Sequence, residues 1–431
     1  MASTEPLLSE KHIEQLESLP VKKSWAQRTF SPIGAGSVRG SMFSLCSLII
    51  GSGVMGLPLA VYNCGIVLGG FMIIIGGLTC GVFNYILVLA SDYTCEYTYV
   101  GVTERLYGLG LKRVLEVSSF LYAFGIICAY QAIVAEFLNS FLHSIGIIHD
   151  PEFEHSRILV IVVLNMILIM PLSLFNELKS LRYASTISVI ACLYITFVVL
   201  AQTPAYIASN ASISEEITYF NFSVYTVDAL SITIFAYEAS RGIPIIYREL
   251  RNRSQERMKK VIYRANGLSI LMYTSIGVLG YLSYINNMPD LVVFREPLSG
   301  GSPSYDWVMV VGRLGVALTL TMGVPLNLNP ARLGLTQLIS GTNYEENMFR
   351  HIVLTLLLLV GSIMVAIVVP KGIVYFKILG GIFSVLTGCV IPCLVYLQIS
   401  KSLKKKVLLS IWTFIIVLIG LGSVGLTVSN L

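Results

Sequence analysis

The sequence predicts an all-α integral membrane protein that crosses the bilayer about eleven times. Two observations carry that expectation. Of 431 residues, 55% are hydrophobic and only 12% charged, with a mean hydropathy of +0.77. A soluble globular domain carries roughly 25% charged residues. The apolar residues also come in runs of the length a helix needs to span the hydrocarbon core, about 20 residues. Those runs fall at 40–62, 65–90, 115–147, 158–175, 184–208, 226–247, 261–286, 307–339, 351–369, 373–400 and 407–428. The third and eighth exceed that length and are expected to tilt or project beyond the bilayer.

Lys and Arg in short connections mark the cytosolic side. With the N-terminus in the cytosol, 21 basic residues fall in segments on that side and three, Arg157, Arg295 and Lys371, on the other. The largest inner group is "YRELRNRSQERMKK" (247–260), and the last is "KSLKKK" (401–406). This bias supports both the helix count and the orientation. Residues 1–37 are polar and of mixed charge, with no apolar core of a signal peptide. They are read as a disordered cytosolic tail, and 38–431 as the membrane domain. The sequons at Asn210 and Asn221 lie in the outer connection between the fifth and sixth spans; a third, at Asn252, lies inside.

Composition also excludes functions. The net charge of +5 is sorted by connection rather than gathered in a patch, so nucleic-acid binding is not expected. Six of eight cysteines lie inside apolar runs, and Cys64 and Cys95 lie near helix ends on opposite sides. All are read as small hydrophobes. Cys389 and Cys393 have no His or further Cys near them to complete a metal set. HExxH and GxSxG are both absent and there are only five His, so no enzyme is expected.

The first span carries "IIGSGVMGLP", with Gly51, Gly53, Gly56 and Pro58 inside eight positions. In a helix interior Gly costs about 1 kcal/mol and Pro about 3. Small residues also serve plain helix packing, but three glycines followed by proline predict an unwound segment. Unwound backbone at membrane depth is tolerated only where it is buried in protein or lines a watery cavity. It frees N–H groups that suit an anion and carbonyls that suit a cation. Five spans later "IFAYEASRGIPIIYREL" (234–250) repeats the device with Glu238, Ser240, Arg241, Gly242 and Pro244. Interruptions in corresponding positions of two halves point to a transporter site, and the first and sixth spans are separated as in a five-plus-five inverted repeat.

These segments are familiar. "GSGVMGLPLAVYNCGIVLG" resembles the first helix of the amino acid/auxin permease family, especially its proton-coupled amino acid transporters. "PLSLFNELKSLRYASTISV" (171–189), "YRELRNRSQERMKKVIYRANGLSI" (247–270) and "RLGVALTLTMGVPLNLNPARLGLTQLI" (313–339) resemble the sodium-coupled neutral amino acid transporters of that family. The resemblance covers 38–430 and implies a leucine-transporter-like fold that moves amino acids across a membrane.

An amino acid presents a carboxylate and an ammonium roughly 3–4 Å apart. N–H groups at Ser52, Gly53 and Val54, with Gly56 in the same unwound stretch, are expected to take the carboxylate. Carbonyls at Phe235, Ala236 and Tyr237 are expected to take the ammonium. Met55, Tyr130, Tyr237 and Ser240 are candidate pocket walls. The resemblance leaves the coupling ion open, because this chain has Ser47 and Ile49 where sodium- and proton-coupled members carry Asn. Ser47, Ile50, Thr319 and Thr321 are the candidate sodium positions, although the threonine hydroxyls equally suit bonds to the preceding helical turn. Glu238 matches a Glu that proton-coupled relatives carry in "FAFEG"-like motifs. Carboxyls at membrane depth serve as proton relays, and an ion pair with Arg241, three residues on, is the equal alternative. Glu136 and Lys377 are read as interhelical or interfacial partners, Pro330 as a break and Arg332 as a cytosolic anchor.

The expectation is therefore a symporter of neutral amino acids, driven by a proton gradient in preference to sodium, without cofactor and functional as a monomer in the lipid bilayer. The membrane is either the plasma membrane or a vacuolar or endolysosomal one. A sensor built on the same fold is the alternative; a channel would need repeated pore-lining rings that eleven unlike helices do not supply.

Overall fold

In a computed structural model of the chain, the structure describes residues 36–144, 154–174, 184–209, 217–285, 288–295, 307–340 and 348–430. Most of the expected tail, Lys179, Arg182 and the sequon at Asn210 lie outside them. The described residues form helices and connections. Nine helices are long and apolar enough to cross a membrane, and a tenth span is a pair bent by 51°. That pair is α1a (Val38–Ile49) and α1b (Leu57–Cys64), joined through a tight turn over Ser52–Gly56. The spans before the next break are α2 (Ile66–Thr94), α3 (Tyr99–Ser144, kinked at Gly108), α4 (154–174) and α5 (Ala184–Ser209). A second broken pair, α6a (Thr226–Ala236) and α6b (Ile243–Glu249), has halves each too short to cross alone and stands where the sequence places the sixth span. After it come α7 (Gln255–Leu282), α8 (Trp307–Ser340), α9 (Met348–Val368), α10 (Gly372–Ile399) and α11 (Leu403–Ser429).

The two prolines of the broken spans do not sit in helix interiors. Pro58 and Pro244 occupy the first turns of α1b and α6b, where a missing N–H costs no hydrogen bond. The sequence therefore breaks the helix with glycines and restarts it with proline.

Three expectations change. The basic segment 105–113 is helical on both sides of a kink, because helix begins at Tyr99 rather than 115. Its turn is confined to Gly108, whose φ of 71° favours glycine, and Lys112 Nζ reaches back across it to Glu104 Oε2 at 2.9 Å. The long basic stretch after α6 is likewise shared between α6b and the start of α7. Pro330 does not break α8, which runs through Pro325 and Pro330 to Ser340. Arg332 is then buried rather than an anchor in water. Its fork lies 3.0 Å from His351 Nε2 and donates to Asn329 Oδ1 at 3.1 Å, tying α8 to α9.

Buried charge ties other elements together. Lys377 of α10 holds Asp228 at the start of α6a at 2.7 Å, and Ser423 of α11 donates to the same carboxylate at 2.7 Å. Lys377 is thus the interhelical partner expected. Glu136 feels Asp290, Arg157 and Lys371 around it at the opposite end of α3 from Tyr99.

All eight cysteines are free, and only Cys95 is exposed, at the end of α2 that the basic residues assign to the cytosol. An impermeant maleimide should label the wild type from the cytosolic side alone. In a Cys95→Asn background, Thr218→Cys should be labelled only from the opposite side. Labelling of both from one face would show the count of crossings between them to be wrong.

Candidate functional site

The two breaks lie against one another. A Cβ built on Gly53 would stand 2.7 Å from Ala236 Cα, so only glycine allows this approach. The carbonyls that end the two first halves are met by one side chain from α7. The hydroxyl of Tyr273 lies 2.7 Å from Ile49 O and 3.0 Å from Ala236 O, and its single proton is shared between them. The ring of Tyr237 packs on it, with centroids 4.8 Å apart.

Beside the breaks is a cavity of about 290 Å³, within reach of the roughly 300 Å³ at which small-ligand pockets begin. Ser52, Gly53, Met55, Phe235 and Ala236 line it from the breaks, Tyr130 from α3 and Thr319 from α8. Ser47, Ile50 and Glu238 are also on its wall. Its other walls include Leu48, Ser188, Gly242, Leu326 and Asn327, all on the side of the breaks where the chain's basic segments lie. The opposite side is shut. Phe235 stacks on Phe376 with centroids 4.7 Å apart. Above them Leu291, Val292 and Val293 are buried, and Phe294 lies 4.8 Å from Phe137. Arg313 of α8 donates to Val293 O at 2.6 Å and to Arg295 O at 3.0 Å, fastening this connection down. The structure is therefore open toward the basic side and closed on the other.

Five expected site residues stand off the cavity wall. Val54 is buried, and its N–H donates to Gly51 O at 3.3 Å. Gly56 faces the closed side, where an added Cβ would stand 3.0 Å from Ile373. Tyr237 points behind α6 toward Tyr273. Ser240 is buried near Gly388 of α10. Thr321 donates to Ala317 O at 2.7 Å. Thr319 donates to Gly315 O at 2.8 Å and Ser47 to Ser44 O at 3.0 Å; these bonds occupy the hydroxyl protons and leave oxygen lone pairs.

Glu238 and Arg241 do not pair. Glu238 is buried and turned toward α10, where Thr387 Oγ1 donates to its Oε1 at 3.4 Å. Its other oxygen has no hydrogen-bond partner among the described residues. The Arg241 guanidinium instead lies over the Tyr122 ring, 3.8 Å from the centroid. The Arg241 charge is still felt at the Glu238 carboxyl, across a gap too wide for an ion pair. Sequence reasoning missed Tyr273, Tyr122 and Cys192. Cys192 of α5 is on the cavity wall, with its thiol 3.6 Å from Gly51 O. None of the three belongs to a motif; each is brought in by packing.

Residues 34–431 match the family described as "Transmembrane amino acid transporter protein". The chain belongs to that family. It is 25% identical over 430 residues to sodium-coupled neutral amino acid symporter 2 of Danio rerio, covering 94% of this chain and 82% of that one. It is 26% identical over 314 residues to "Putative amino acid transporter AAT1" of Toxoplasma gondii (strain ATCC 50611 / Me49). That match covers 73% of this chain but only 42% of the longer Toxoplasma protein. The crystal structure of MhsT in complex with L-phenylalanine aligns with a TM-score of 0.55 at 13% identity, over 90% of this chain and 98% of that one. This likeness shows the fold, which is the leucine-transporter-like arrangement that the family resemblance implies.

Two substitutions test the family member's paired breaks. Gly53→Ala should abolish amino acid uptake while the protein still reaches its membrane, since the new methyl cannot fit against Ala236; normal uptake at normal expression would contradict the contact. Tyr273→Phe leaves two buried carbonyls short of a donor, a cost of about 1–3 kcal/mol. A lowered melting temperature in detergent, together with reduced uptake, is the expected result.

Proposed function

We propose that this protein is a secondary active transporter that moves neutral amino acids by alternating access, driven by a proton gradient. The observation that carries the reading is the cavity itself, which lies beside both unwound segments. The N–H groups of Ser52 and Gly53 make no backbone hydrogen bond among the described residues and would take the substrate carboxylate. The carbonyls of Phe235 and Ala236 would take its ammonium. Met55, Ile126, Val316 and Leu320 give the cavity apolar walls, which suit an uncharged side chain.

Glu238 supports the proton. It is a carboxyl on the wall of the cavity with one unpartnered oxygen, influenced by the Arg241 charge but not joined to it in an ion pair. Sodium is the second reading, favoured by the name of the Danio relative and by Ser47, Ile50 and Thr319 standing on the same wall.

The test uses protein reconstituted in liposomes. Glu238→Gln should lose amino acid accumulation driven by an imposed pH gradient yet keep amino acid exchange, which needs no net proton movement. Wild-type accumulation that requires sodium and ignores pH would overturn the proton assignment in favour of sodium. Binding without any uptake or exchange would overturn transport in favour of a sensor.

A further inference from the structure

Arg241 has no part in the reading above. It is one of two charged residues on the cavity wall, the other being Glu238. Arg241 is half-buried, and none of its N–H donors has a protein acceptor among the described residues. Its closest contact among the described residues is the face of Tyr122, and its charge is also felt by the Glu238 carboxyl. Stacking on a ring uses the flat face of a guanidinium and leaves its edge of N–H donors free, in the fork that matches a carboxylate. Position adds the direction. Arg241 lies beyond the α6a end, next to Gly242 and α6b, in the half of the cavity walled by Ser47, Leu48 and Asn327. A substrate leaving the paired breaks toward the open side must pass it.

We propose that Arg241, braced on Tyr122, is a second carboxylate-binding group that holds the α-carboxylate of the amino acid in the inner half of the cavity. This rests on the reading of the substrate as an amino acid. The amino acid passes from backbone donors at Ser52 and Gly53 to the guanidinium edge without an interval in which its carboxylate is unpaired. A residue that only braced α3 against α6 would affect both sides of the membrane alike.

The experiment is amino acid exchange in proteoliposomes holding the protein in one orientation, with alanine or glutamate varied on each side in turn. Arg241→Gln should raise the half-saturating concentration on the basic side at least tenfold, as expected for loss of a charged hydrogen bond. It should do so for alanine and glutamate alike, and the opposite side should change less than twofold. Arg241→Lys keeps the charge without the fork and should raise the inner value by a smaller factor; it decides the matter if the Gln variant does not fold. Equal shifts on both sides, no shift on either, or a shift for glutamate alone would overturn the inner α-carboxylate site. A wild type that exchanges no amino acid would instead overturn the transport reading on which it rests.

Discussion

Backbone groups released at membrane depth have no water to turn to, and the interior of this protein is organised around that demand. Both broken spans end their first halves on carbonyls that a continuous helix would have satisfied. Tyr273 answers the two at once, from a helix that is itself unbroken. This fixes where α7 must lie, how close α1 and α6 must come, and why position 53 carries no side chain. It also leaves the N–H groups of Ser52 and Gly53 at the first break without a backbone acceptor, beside the cavity.

Charge inside the bundle is divided by the same logic. An ion forced out of water is costly unless paired. Asp228, Lys377 and Arg332 are paired or hydrogen-bonded, and each joins two or three helices. Glu238 and Arg241, three residues apart on the cavity wall, form no ion pair with each other, and each keeps unused hydrogen-bonding capacity. The contrast separates ionic groups that hold the bundle together from those positioned to meet something that passes through it.

Much of this was legible in the sequence. Lipid imposes length, apolarity and basic flanks on every span, so the eleven crossings could be read directly, and glycine and proline at membrane depth betrayed both breaks. Other features depend on neighbours distant in the chain. Pro330 looks like a break, but α8 continues through it. Tyr237 and Tyr273 are ordinary aromatics on paper; only the crossing of α6 and α7 decides that one turns away from the cavity and the other clamps it. The two wide turns of α10, over Leu379–Ser384 and Leu386–Val390, follow no periodicity that apolar patterning records. Which face of each unwound stretch meets the cavity was equally hidden, because an unwound chain has no fixed period from which a face can be read.

The two halves of α6 are tied to different partners. α6a is clamped at Asp228 to both α10 and α11, whereas α6b, seven residues long, is held to α2, where the Tyr247 hydroxyl donates to Asp92 Oδ1 at 2.7 Å. With both halves anchored, the unwound segment between them is the joint at which this span can bend. The tip of α6b is in turn joined to the start of α1, because Arg251 N–H donates to Gly36 O at 2.8 Å. A displacement of α6b is therefore handed both to α1a and to the end of α2, which makes the three a single linkage.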